Sequence, residues 1–221
     1  MLNRCKELAD NIGNKSAGQL VDRLLLSEKL GYEFRDRVSH WKELALQNAQ
    51  RSDHLSAFVY LWIPFNAWAA AVVKDRNSAE KDWPLIQAVG FDGAMGSRFV
   101  GLFCRPGLFR NNVEHFGIRW PIFKVRALQE LGLGSSMDYQ SRDQFRKECL
   151  SKLHNSKDYQ PRCFISHKCA GPPLDWPHTL AAIYQVRCNL FHGGKAFEAE
   201  DRQFCQYAYE ILKSMWLPEL P

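Results

Sequence analysis

The sequence predicts an all-α fold, an antiparallel helical bundle with an inserted segment of mixed irregular and helical character. Three observations predict it. Apolar residues recur at three- and four-residue spacing along most of the 221 residues. No alternating apolar–polar run reaches useful strand length. The breaks between periodic segments carry helix-terminus residues, with Asp and Pro near starts and Gly or Pro near stops. At 46% hydrophobic content the chain can bury a substantial core. We read residues 1–221 as one domain, with 90–178 as an insertion or elaboration of the bundle.

In order along the chain, Leu20, Leu24, Leu25 and Leu30 fit one helix, and Phe34, Val38, Trp41, Leu44 and Leu46 the next. Leu55 to Val73 is a long aromatic helix without a charged side chain, interrupted at Pro64, where a backbone donor is missing. Its length makes it a membrane-span candidate. The central Pro64 and Asn66 and the amphipathic neighbours instead predict the central helix of a bundle, with no membrane partner. Asp82-Trp83-Pro84 reads as a helix start with Pro in the first turn. Glycines between 90 and 107 predict short, less regular segments, and Gly132-Leu133-Gly134-Ser135-Ser136 a loop. Residues 155–178 read as a long connection. Leu180 to Phe191 is apolar nearly all round, as a buried helix is. A final helix follows Asp201 as N-cap and carries Phe204, Tyr207, Ala208, Ile211, Leu212 and Met215 on one stripe.

Charge and cysteine usage bound the setting. A net charge of +5 is compatible with RNA without requiring it. The seven cysteines are scattered and odd in number, which predicts free thiols in a reducing compartment. The first residues lack a signal-peptide design, so the expected location is cytoplasmic. Motifs for phosphate-cradling loops (G-x4-G-K-[ST]), zinc proteases (H-E-x2-H) and serine hydrolases (G-x-S-x-G) do not occur. Cys149, His154, Cys163, His167 and Cys169 lie within 21 residues, but without zinc-module spacing, so no metal and no cofactor is predicted. Glu114 and His115 read as residues of a surface helix.

The segment Arg187-Cys188-Asn189-Leu190-Phe191-His192-Gly193-Gly194-Lys195 is the candidate site. Arg187 lies on an element expected to be buried, where a guanidinium requires a carboxylate, a phosphate or a partner chain. Arg187 and His192 are five apart, roughly 140° around a continuous helix. Gly193 and Gly194 supply a helix stop that turns His192 back toward Arg187. Lys195 is placed for a phosphate contact. Asn66 either bonds a carbonyl freed by Pro64 or points at the site from a neighbouring helix.

Arg187-x4-His192, with Val186 before it and Gly193-Gly194-Lys195 after it, resembles the R-x4-6-H signature of HEPN domains (higher eukaryotes and prokaryotes nucleotide-binding). Phe58-Val59-Tyr60-Leu61-Trp62-Ile63-Pro64-Phe65-Asn66-Ala67-Trp68 is similar to the aromatic, Asn-containing early helix of several prokaryotic HEPN groups. The resemblance covers roughly a sixth of the chain. It implies a HEPN-like bundle and a metal-independent endoribonuclease of toxin–antitoxin or antiviral defence systems, restrained or activated by an antitoxin or defence-system partner. It further implies a homodimer whose two Arg–His sites face one RNA cleft. Arg187 and His192 would be catalytic, with Asn189, Lys195 and Asn66 contacting substrate. Many family members carry Asn, Asp or His directly after the Arg; this chain has Cys188 there and Asn189 one place later. A catalytically silent module that binds RNA, a nucleotide or a protein through the same pocket therefore stands as the alternative.

Overall fold

The computed structural model describes residues 32–73, 82–118, 122, 124–130, 132–133, 141–153, 174–191 and 199–216. Among them there are nine helices and no strand: α1 (Tyr32–Gln50), α2 (His54–Val72), α3 (Asp82–Gly90), α4 (Gly93–Phe103), α5 (Leu108–Ile118), α6 (Val125–Glu130), α7 (Arg142–Leu153), α8 (Trp176–Phe191) and α9 (Ala199–Trp216). The expected all-α class is observed. The first expected helix, around Leu20 to Leu30, lies outside the described residues.

Helices α1 and α2 pack along each other, joined by a turn built from local hydrogen bonds. Asp53 N donates to Asn48 O at 2.9 Å and Ser52 N to Ala49 O at 3.0 Å, the paired bonds of a Schellman stop. Ser52 takes the left-handed position, with φ of 61°. Asp53 then caps α2, its Oδ1 accepting from Ser56 N at 3.1 Å. Hydrogen bonding from the Ser56 side chain, and then from its backbone N–H, holds the Asp53 carboxyl below the usual carboxylate range.

Helix α2 runs through Pro64 and carries the aromatic spine of the core. Phe58, Trp62, Phe65 and Trp68 are all buried on it, at the three- and four-residue spacing of one helix face. Trp216 of α9 meets Phe65 and Trp68 at 5.8 and 6.1 Å between centroids. On the other side Trp62 meets Tyr184 of α8 at 6.1 Å, and Tyr184 meets Trp83 of α3 at 5.7 Å. Aromatic contacts thus run from α9 through α2 to the junction of α3 and α8. No described helix is long and apolar enough to cross a membrane.

Three expectations are corrected. The glycine-punctuated middle is more regular than expected. Asp92 caps α4 by accepting from Ala94 N and Met95 N at 3.0 Å each, and Met95, Phe99, Phe103, Phe109, Val113 and Phe116 of α4 and α5 join the main core. Burial of these side chains outweighs the helix-weakening glycines. Helix α6, Leu133 and α7 build a separate small cluster of Leu128, Leu133 and Cys149, with Phe145 against it. Second, α8 starts at Trp176, inside the expected connection, and α9 at Ala199, before the expected cap at Asp201. Asp175 is the reason in the first case: its carboxylate accepts from His178 N at 2.9 Å. Third, Cys104 is disulfide-bonded, whereas Cys149, Cys188 and Cys205 are free. Spacing could not reveal this, because a disulfide depends on which Cβ atoms approach in space. The reducing-compartment expectation loses that support.

Candidate functional site

The site is assembled where the C-terminal half of α8 meets the start of α3. From Trp176 to Val186 nearly every residue of α8 is buried, as expected of a helix apolar on all sides. Tyr184, Arg187 and Phe191 follow at spacings of three and four and share one face. Pro84, within the first turn of α3, has the fixed φ that suits a helix start, and Asp82 opens that helix beside Arg187.

The partner that a guanidinium on α8 requires is in the same chain. Arg187 Nη1 forms an ion pair with Asp82 Oδ2 at 3.1 Å, with the two side chains 21% and 39% exposed. The guanidinium carbon lies 4.7 Å from the Phe191 ring centroid and 6.0 Å from that of Tyr184. Arg187 Nε is buried and has no hydrogen-bond partner among the described residues. Among the described residues the cation is therefore held in place by two rings and the Asp82 carboxylate. Guanidinium can offer a planar fork of parallel N–H groups to a two-oxygen anion, and Asp82 lies closest to its Nη1.

The chain matches no known family model, no curated protein and no solved structure.

The remaining predicted residues fall in different places. His192 and Lys195, with Gly193 and Gly194, lie outside the described residues. Asn189 turns away from the Arg187 stripe: its Oδ1 accepts from Gln185 Nε2 at 2.9 Å and from Val125 N at 3.3 Å, tying α8 to the start of α6. Cys188, directly after Arg187, is 8% exposed and packs in the main core. Asn66, on α2, has a buried Oδ1 without a hydrogen-bond partner among the described residues. No hydrogen bond, ion pair or ring contact joins it to Arg187 among the described residues. Of the possible ligands between 149 and 169, only Cys149 is described, and it is buried. Among the described residues no three metal-ligating side chains gather. Glu114 pairs with Arg110 at 2.9 Å rather than with His115, whose ring stacks on Tyr207 at 5.8 Å.

Two features escaped the sequence reading. One is Asp82, whose signal was available: it is the acidic residue at a predicted helix start. What was hidden is that α3 packs against α8. The other is the buried His178, whose Nδ1 lies 2.6 and 2.8 Å from the Asp175 oxygens. A carboxylate only accepts, so Nδ1 carries the proton. The Asp-x-x-His spacing at a helix start was legible as a cap. Its place nine residues before Arg187, roughly 13 Å along α8, keeps it out of the Arg187 site.

Proposed function

We propose that this protein is a HEPN-like, metal-independent endoribonuclease acting as a homodimer, in a toxin–antitoxin or antiviral defence setting. Arg187 and His192 are its catalytic pair. One observation carries the reading: the Arg187 guanidinium, set at the end of a buried helix between Tyr184 and Phe191, is partly in water and paired with a carboxylate, Asp82, that is itself partly exposed. That arrangement supports binding of a phosphodiester, whose two non-bridging oxygens match the guanidinium fork.

The chemistry follows from RNA itself. The ribose 2′-oxygen attacks the adjacent phosphorus while His192 takes its proton, an imidazole being half-ionised near neutrality. Arg187 meets the negative charge that grows on the phosphorane. The bond from phosphorus to the 5′-oxygen breaks, and that oxygen leaves with the proton held by the imidazolium. The products are a 2′,3′-cyclic phosphate and a 5′-hydroxyl, and DNA is inert for want of the 2′-OH.

A second reading, a binding module without cleavage, is favoured by the burial of Cys188 and the engagement of Asn189. Together these leave no polar side chain from the two positions after Arg187 facing that stripe. Incubating RNA in EDTA with the wild-type protein, Arg187→Ala and His192→Ala, and identifying the product ends, separates the two. Cyclic phosphates formed by wild type and lost in both folded variants support the nuclease. Binding without cleavage by the wild type supports the module.

A further inference from the structure

We propose that Phe191 is the base platform of this site: an unpaired nucleobase of single-stranded RNA stacks on the open side of its ring while the adjoining phosphate is held by Arg187. The inference rests on the RNA reading above and names its substrate class and one residue that selects it.

Phe191 closes the described length of α8, four residues beyond Arg187 and on the same face. Phe191 is 52% exposed, although the helix is almost wholly buried up to Val186. The Arg187 guanidinium covers one side of the ring at 4.7 Å. Among the described residues no other ring or cation meets it. Tyr184, by contrast, is committed to Trp62 and Trp83. The site therefore offers a flat apolar surface in water next to a partly exposed cation paired with a partly exposed carboxylate. A nucleotide has the complementary pair, a flat base and an anionic phosphate one backbone step apart.

Stacking discriminates by strand state rather than by sequence. Every base has a π face, so an aromatic platform tolerates all four. A base inside a duplex has both faces taken by its neighbours and cannot reach Phe191 without being unstacked. The surface therefore selects loops and single strands.

The test uses 2′-O-methyl RNA, which cannot undergo 2′-OH attack, so that binding is read apart from cleavage. Fluorescence anisotropy compares three labelled probes of equal length: a single-stranded oligouridylate, the same strand paired in a duplex, and an abasic strand retaining every phosphate. Wild-type protein is expected to bind the single strand at least tenfold more tightly than the duplex or the abasic strand. Phe191→Leu is expected to lose that preference while keeping its affinity for the abasic strand; Phe191→Trp is expected to keep or strengthen it. Equal loss of abasic and base-bearing probes in Phe191→Leu overturns the inference, because the ring then only positions Arg187. Equal affinity of the wild type for all three probes also overturns it. Cleavage of unmodified RNA is scored separately. A wild type that shows the preference and cuts nothing leaves the platform standing and removes the nuclease reading; one that cuts RNA without the preference does the reverse.

Discussion

Arg187 on α8 and Asp82 on α3 form a 3.1 Å ion pair across the junction of the two helices, so the cation central to the candidate site is already answered from within the chain. A phosphate that binds Arg187 must share or displace that carboxylate. Both side chains are partly in solvent, where an ion pair contributes little to stability.

Asp82→Asn is expected to tighten binding of an uncleavable single-stranded RNA several-fold at low salt, by removing a competing negative charge. Its cost in unfolding free energy is expected to stay below about 1 kcal/mol. Anisotropy titrations and urea unfolding check the two halves. Weaker binding in the variant would mean that Asp82 orients the guanidinium instead of competing for it.

Arg187→Lys separates a structural cation from a phosphate-gripping one. Lysine can still meet Asp82, so stability is expected to change by less than about 1 kcal/mol. It lacks the planar fork, so RNA cleavage in EDTA is expected to fall roughly 100-fold. Full activity in the lysine variant would reduce the role of Arg187 to its charge.

Ser52 holds a left-handed conformation, φ 61°, at the stop between α1 and α2. A side chain pays for that geometry and glycine does not, although glycine also makes the unfolded chain more flexible. Ser52→Gly is therefore expected to stabilise the fold by about 0.5–1 kcal/mol, read as a raised urea midpoint with unchanged slope.

Two buried groups on α9 predict an alkaline limit. Burial, aided by Asp201 and Asp53, pushes the Cys205 thiol from 9.0 up to about 12, and burial with Glu210 pushes the Tyr209 phenol from 10.0 up to about 12. Both are neutral when protonated. The unfolded chain releases these protons at the lower values and the folded chain near 12, so folding keeps protons that unfolding would shed. Their contribution is fully present below pH 9 and is lost as pH rises from about 9 toward 12. Urea unfolding at pH 8, 10 and 11 is expected to show falling stability, with a shallower fall in Cys205→Ala. A flat profile would contradict the burial of both groups.

Much of the fold was legible because helix signals are local. Val38, Trp41 and Leu44, the Asp82-Trp83-Pro84 start and the stripe from Phe204 to Met215 announce helices through spacing alone. Asp92 and Asp175 cap α4 and α8, but an acidic residue becomes a cap only once the helix after it forms, so spacing alone does not set those boundaries. The candidate site was half legible. Arg187 stood out as a charge on an apolar helix, and its need for a counter-charge followed from the cost of burying a guanidinium. Nothing in the order of residues could say that Asp82, more than a hundred positions earlier, would meet that need.

By itself the sequence determined the all-α class, the buried character of α8 and the presence of a cation on it that had to be answered, because each follows from residue types at neighbouring positions. Only the tertiary structure decided that Asp82 answers Arg187, that Cys188 faces the core, that Asn189 binds Gln185 and Val125, and that Cys104 is bonded. Those outcomes depend on which helix packs on which, a property of the whole chain's burial of apolar surface that no local spacing encodes.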